Sequence, residues 1–512
     1  MNTRTRIAPG DRRLLLAAVA VIAALATHMV AAADRPTDDD IAAAVKTELV
    51  TDAMVSFNDI DVETQDGIVT LGGTVDKLTA RERAEHVAAT VRGVRSVVNT
   101  IEVRTSVSMD GDALAQAVSE ELLADPATDS YEVEVNADDK GNVTLTGTVD
   151  SWPECRLTGK VAGNVRGVTS IDNRIKVEYG TDRADLEILS DVEESLEWDA
   201  YIDARGIRVA VDDGVVTLSG SVASAAERNR ALRRSWVSGV TAVHADGLET
   251  SDVLRENWKR ADEPVMVSDA EIDRAVAAAL IYDPRVSPFD VLTTVADGVV
   301  TLTGVVDNLR ARTAAEDDAL NTTGVARVEN HISVETTMEM ADDQVEAVAT
   351  AALKRNSFLD ADEIHVNVTG GSADLTGNVD TYFEKGEAQE TVSRVLGVSA
   401  VSNNLHVRTS DHVFLYDPYV DDWRPQPHWY SYERRDPTMT DDVIADAIRT
   451  QLWWSPFVDS DEVKVEVKNG IATLNGTVSD WSERRAAENN AFDGGAIWVR
   501  NQLEVASPTS PQ

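Results

Sequence analysis

Gly67-Ile68-Val69-Thr70-Leu71-Gly72-Gly73-Thr74-Val75 is the stretch whose reading decides the fold. Val69, Leu71 and Val75 share one register, and Thr70, Gly72 and Thr74 share the other. A period of two with β-branched residues marks a strand with one buried and one wet face. The stretch is the first of six copies. The others open at Gly141, Gly214, Gly298, Gly371 and Gly470, and each has a second glycine at Gly147, Gly220, Gly304, Gly377 or Gly476. The buried register repeats as Val143/Leu145/Val149, Val216/Leu218/Val222 and Val300/Leu302/Val306, with Ala373 and Ala472 at its first position in the last two copies. The first glycine fits a turn that needs positive φ, and the second, as at Gly73, fits a close approach of helix or backbone.

Working outward from this strand defines one unit. Thr37-Asp38-Asp39-Asp40 starts a helix with acids at its favourable end, and Ile41, Ala43, Ala44, Val45 and Leu49 mark its apolar stripe. Ile60–Glu63 and Ile68–Val75 read as two strands joined at Asp66-Gly67. Thr79-Ala80-Arg81-Glu82 reads as a capping box opening a second helix, with Ala84, Val87, Ala88 and Val91 turned inward. Gly93 ends it, and Val94, Val97, Asn99, Ile101 and Val103 form a third strand. Further capping boxes read at Ser224…Glu227 and Thr381…Glu384, with Ser151…Glu154 as a variant. A Gly-Val terminator recurs at Gly93, Gly167, Gly239, Gly324 and Gly397. An asparagine follows at Asn99, Asn173, Asn330, Asn403 and Asn501, where unit three has Ala245 instead.

The expected fold class is therefore α+β, six tandem α-β-β-α-β modules, each a small three-stranded sheet packed on two helices. The modules are expected at 37–105, 111–179, 182–249, 268–336, 340–409 and 440–506. A linker at 250–267, an insert at 410–439 and a tail at 507–512 complete the chain. Together, the D-G-x-V-T-L-x-G-x-V strand pair, the later Gly-Val and the N-x-I/L-x-V strand resemble the BON domain, a small α/β module of bacterial envelope proteins. The first glycines are unevenly spaced, and Gly371 to Gly470 is the longest step. A solenoid needs a tight register, so this irregularity predicts separate beads or groups: units one to three, four and five, and six. Each unit of roughly 70 residues is marginal as a lone domain, which leaves packing between neighbours open.

At the N-terminus, Arg4, Arg6, Arg12 and Arg13 precede an apolar run, Leu14–Ala26, and an Ala31-Ala32-Ala33 site. That is a signal-peptide pattern over residues 1–33, with a retained anchor as the alternative; export to the periplasm is expected. Acids outnumber bases 89 to 47, for a formal net charge of −42. Such a chain repels nucleic acid and anionic lipid alike. Cys155 is the single cysteine, so no intramolecular disulfide is possible.

No catalytic constellation emerges, and neither cofactor nor metal is expected. His86, His244, His331, His365 and His406 stand singly. His412 and His428 near Asp411, Asp417, Asp421 and Asp422 have no fixed ligand spacing. The paired glycines lack the Lys-Ser/Thr of a phosphate loop. A non-enzymatic binding protein is expected.

The BON resemblance implies osmotic-stress protection, attachment to phospholipid at the envelope, or a place in an envelope machine. The candidate lipid contacts are Arg81, Arg83, Arg92 and Arg95 of unit one and Arg228, Arg230, Arg233 and Arg234 of unit three, against the bland reading of solvated helix faces. The leading expectation is weak multivalent contact with a phospholipid surface. The alternative is a periplasmic protein-binding scaffold or chaperone-like array using the insert. There, Tyr416, Tyr419, Trp423, Trp429, Tyr430 and Tyr432 concentrate aromatics that make up 5% of the chain overall.

Overall fold

The computed structural model describes residues 36–251, 267–408 and 440–506, apart from 53, 56–58, 108, 126–127, 129–131, 180–182, 287–288 and 337–339. The N-terminal 1–33 segment, most of the 250–267 linker, the aromatic insert and the tail lie outside the described residues.

In unit one, α1 (Asp38–Thr51) leads to β1 (Asp59–Gln65), β2 (Ile68–Val75), α2 (Leu78–Ala89), β3 (Ser96–Asn99) and β4 (Glu102–Val103). β2 is central, antiparallel to β1 and parallel to β3 and β4. Val69, Leu71 and Val75 are at most 2% exposed. They meet Ile41, Ala44, Val45 and Leu49 of α1 and Ala84, Val87 and Ala88 of α2 in one core. The other five units repeat this order, each around its own three-stranded or split sheet.

Three local devices explain why the sequence folds this way. Asp66 (φ 52°) and Gly67 (φ 72°) turn β1 into β2. Asp38, in the first turn of α1, accepts from both of their amides at 2.8 and 2.9 Å. Asp185, Asp269, Asp342 and Asp441 do the same in units three to six. In unit two the polarity is reversed: Gly111 replaces the aspartate on the helix, and its amide donates to Asp139 of the turn at 2.9 Å. Asp38→Ala is expected to destabilise unit one by about 1–2 kcal/mol, because two charge-assisted bonds are lost at a partly wet site. A urea titration of the variant would measure the change.

The second device is Gly73, with φ 99° in the buried register of β2. A Cβ there would overlap the carbonyl oxygen of Asp59, so the close approach is by the neighbouring strand's backbone. The third is Asn99. Its Nδ2 donates to the Arg81 carbonyl at 2.9 Å and its Oδ1 accepts from the Ile101 amide at 3.2 Å, pinning the third strand to α2 where β3 breaks from β4. Asn173, Asn330, Asn403 and Asn501 repeat the contact.

The structure corrects two expectations. Thr79 is not a helix cap: α2 starts at Leu78 with Lys77 at the cap position and no side-chain cap bond, and Thr79 is buried in the first turn. In every unit the cap falls two residues after the last buried valine of the central strand. That distance sets the start in unit one, although its cap residue is lysine. Ser151, Ser224 and Thr381 occupy the same position and do cap.

The units are also not separate beads. Ile444, Ile448, Leu452 and Leu474 of unit six join the core of unit one, together with Tyr201, Ala225 and Ala226 of unit three. Chain distance does not decide which units touch, because marginal cores gain by sharing apolar surface.

Candidate functional site

The residue that follows the first helix of each unit is polar and buried. These residues are Asp52, Asp125, Asp199, Asp283, Asn356 and Ser455, all at most 9% exposed. Two positions one helical turn apart on the second helix face that residue in units three and five, and one of the two does so in units one and six. In unit three they are Arg230 and Arg234, which donate to the two oxygens of Asp199 at 2.6 Å each. In unit one Arg83 donates to Asp52 at 2.8 Å. In unit five Asn356 donates to Glu387 at 2.7 Å and to Thr391 at 2.9 Å. In unit six Asn490 donates to Ser455 at 3.5 Å. Asp125 of unit two instead receives Arg310 from unit four. A buried charge needs such a partner, and here each is supplied.

These sockets lie beneath three backbone seams. The Arg92 amide of unit one donates to the Trp454 carbonyl of unit six at 3.1 Å. The Arg166 amide of unit two donates to Arg355 of unit five at 2.8 Å, and Ser357 returns a bond to Asn164 at 3.0 Å. Ala200 of unit three donates to Asn321 of unit four at 2.9 Å, and Thr323 donates back to Trp198 at 2.8 Å. The seams therefore pair one with six, two with five and three with four.

Within one layer, units one to three close a ring. Leu78 of unit one enters the core of unit two. Trp152 of unit two meets Trp236 of unit three with ring centroids 4.0 Å apart and tilted by 48°, and donates to the Val240 carbonyl at 3.0 Å. The Ala225 amide of unit three donates to the Val94 carbonyl of unit one at 3.3 Å. In the second layer Arg485 of unit six donates to Val325 and Leu320 of unit four at 2.9 and 2.6 Å, and Leu309 of unit four packs on the core of unit five.

Units one to five enclose a cavity of about 1760 Å³, into which the Trp152–Trp236 pair, Phe358, Phe383, Asp199 and Asp318 project. Ligand pockets typically span about 300–1,000 Å³, so this is a chamber between units rather than a fitted small-molecule site. Burial between the first helices of units one and six pushes the carboxyl of Glu48 up to about 7, although its Oε1 accepts from Gln451 at 3.4 Å. Burial likewise pushes the Cys155 thiol up, in keeping with a structural rather than a nucleophilic cysteine. Among the described residues no group of three or more His, Cys, Asp or Glu side chains gathers to hold a metal. Among them, too, no helix is long and apolar enough to cross a membrane.

The eight arginines proposed as two basic patches are dispersed. Arg83 and Arg230 are 4% and 1% exposed, each against its aspartate. Arg234 shares Asp199. Arg228 is spent on the carbonyls of Leu248 and Ala245 at 3.1 and 2.9 Å. Arg92 lies over the Trp453 ring at 4.4 Å, and half-buried Arg233 lines the cavity. Arg81 is half-buried and Arg95 is exposed. A run of arginines on a helix looks like a patch in sequence, but their turn-by-turn spacing sends some of them into the socket. The aromatic contacts from Tyr416 to Tyr432 lie outside the described residues.

Sequence reasoning missed the sockets themselves. The available signal was a polar residue at the same place after each first helix, with one or two complementary polar residues on the second helix in units one, three, five and six.

Comparison with known proteins follows the repeat. Residues 37–105, 110–179, 184–250, 268–336, 341–409 and 440–507 each match the BON domain. Osmotically-inducible protein Y of Escherichia coli (strain K12) is 37% identical over 147 residues, 28% of this chain and 73% of that protein. Two solved chains of CdsD, a structural protein of the type III secretion system of Chlamydia trachomatis, align at 16% identity with a TM-score of 0.12. One alignment covers 43% of this chain and 92% of that one, and the other, to a C-terminal domain, covers 45% and 100%. At that score the CdsD alignments carry no argument. With six matches spread over most of its length, the chain belongs to the BON domain family.

Proposed function

We propose that this is an exported, non-catalytic binding protein of the osmotic-stress response that acts in the periplasm as one body of six modules. Its similarity to osmotically-inducible protein Y supports the stress role, and the signal-like N-terminal stretch supports export. The contact it makes is with a protein of the envelope rather than with a phospholipid surface. The observation that carries this choice is the inward use of the arginines. Asp52 and Asp199 consume Arg83, Arg230 and Arg234, while the chain as a whole carries −42. A surface of that charge is repelled by anionic headgroups, and an isolated Arg95 does not reverse it.

The test is co-sedimentation of the chain from Asp34 onward with vesicles of graded anionic lipid content at low and high salt. The expected result is no salt-sensitive binding at any composition. Binding that grows with anionic lipid and fades with salt would overturn the protein-partner reading and restore the phospholipid one.

A further inference from the structure

The seams differ in how completely their backbones close. Ser357 of unit five and Ala200 of unit three each follow a socket residue, and their amides donate to the Asn164 and Asn321 carbonyls. Unit six has Pro456 at that place. Among the described residues its seam keeps the Arg92 bond to Trp454 and has no return bond. Proline has no amide to donate. The edge covered in each seam is the end of a second helix, and a short run of main chain covers it. Between units three and four, Trp198-Asp199-Ala200 lies antiparallel to Asn321-Thr322-Thr323, bridged at Asp199 and Thr322.

Exchanging the roles of these two units brings up the equivalent pair of segments. Trp236-Val237-Ser238 ends the second helix of unit three, with Ser238 before Gly239 as Thr323 stands before Gly324. Tyr282-Asp283-Pro284 spans the socket of unit four as Trp198-Asp199-Ala200 spans that of unit three. Both segments line the chamber, yet among the described residues no hydrogen bond joins them. Pro284 has no amide for the Trp236 carbonyl, and no described group accepts from the Ser238 amide. An edge that a neighbouring unit covers elsewhere is left open here.

We infer that Trp236–Ser238 is a docking edge for an extended segment of another protein. The segment donates an amide to the Trp236 carbonyl and accepts from the Ser238 amide, as Ala200 and Trp198 do for unit four. This rests on the protein-partner reading above and names the chemistry of that partner.

Main-chain pairing of this kind gives affinity, and the groups beside the edge select the side chains. Ile281 and Tyr282 of unit four and Leu123 of unit two are exposed apolar residues on the same chamber. Asp191 and the exposed Glu194 of unit three line it too. The fitting segment is therefore apolar and carries lysine or arginine, a composition that the net charge of −42 also attracts.

The probe is a short fluorescein-labelled peptide of alternating lysine and valine, titrated with the whole chain at physiological salt and followed by anisotropy. Its twin, methylated at every backbone amide, keeps the side chains and the charge but cannot donate to Trp236. The twin is expected to bind at least tenfold more weakly. Ser238→Pro, which removes the amide donor, is expected to weaken the unmethylated peptide by a similar factor. Ile281 is 69% exposed, so Ile281→Lys leaves the fold intact while it repels the probe, and a loss of at least threefold is expected. Hydrogen exchange at Ser238 should slow at least tenfold when the peptide is added. Equal binding of peptide and twin would mean adhesion by charge alone and would overturn the docking edge, as would unchanged binding in both variants. A flat titration would also overturn it, while the contact with an envelope protein is judged separately by the vesicle measurement.

Discussion

Asp199→Asn is expected to lower the unfolding free energy by about 3–5 kcal/mol, the usual cost of stranding one member of a buried ion pair. Asp199 and Arg230 are each 1% exposed, and the guanidinium also lies over the Tyr201 ring at 4.9 Å. With the carboxylate gone, Arg230 has no route to solvent, whereas Arg234, 29% exposed, can turn outward. The loss also reaches the seam, because Asp199 bridges Thr322 and accepts from the Tyr201 amide at 3.0 Å.

Urea denaturation measures the effect, and a double variant, Asp199→Leu with Arg230→Met, separates its causes. If the stranded charge dominates, the double variant recovers most of the loss, since well-packed apolar replacements of buried pairs are close to neutral. If it recovers nothing, the carboxylate acts chiefly through the seam. Burial works against ionisation of Asp199, but Arg230 and Arg234 prevail, so its carboxyl sits below the ordinary range. Its stabilising contribution is therefore present above about pH 4 and is lost as pH falls through its folded value.

Gly73→Ala is expected to cost about 3 kcal/mol or more, combining positive φ with a Cβ that overlaps the Asp59 carbonyl. The damage should not stop at unit one. Val69, Leu71 and Val75 share a core with Ile448 and Leu452 of unit six, and Arg92 lies on Trp453. Tryptophan fluorescence from Trp453 and Trp454 should therefore change in the same transition that melts unit one. Gly147→Ala in unit two is the comparison, because among the described residues that core takes in Leu78 and Val103 of unit one and nothing from unit six. If the Gly73 variant melts unit one while the Trp453–Trp454 signal stays native, the units are independent and the shared core contributes little.

The alternation in Val69-Thr70-Leu71, the glycines at fixed offsets and the Gly-Val terminators were sufficient to read each α-β-β-α-β unit, because each depends on contacts within a short span of chain. Asp66-Gly67 dictates its own turn, and Asn99 reaches only to α2. The cap of α2 was misread in unit one because local chemistry favoured Thr79, while the geometry of leaving β2 after Val75 favoured Lys77. The arginines were misread for a related reason. Nothing in Arg228 to Arg234 says that Arg230 points at Asp199, since that depends on where the first helix ends.

The sequence by itself determined the unit: its strand pair, its helices and its six-fold repetition, all set by periodicity and by glycine's freedom at positive φ. Only the tertiary structure decided that unit one joins unit six, unit two joins unit five and unit three joins unit four. Those choices rest on which units share apolar surface and seam hydrogen bonds, as Ile448 and Leu452 of unit six do with the core of unit one. That is a property of three-dimensional neighbours, some of them, like Arg310 beside Asp125, far along the chain.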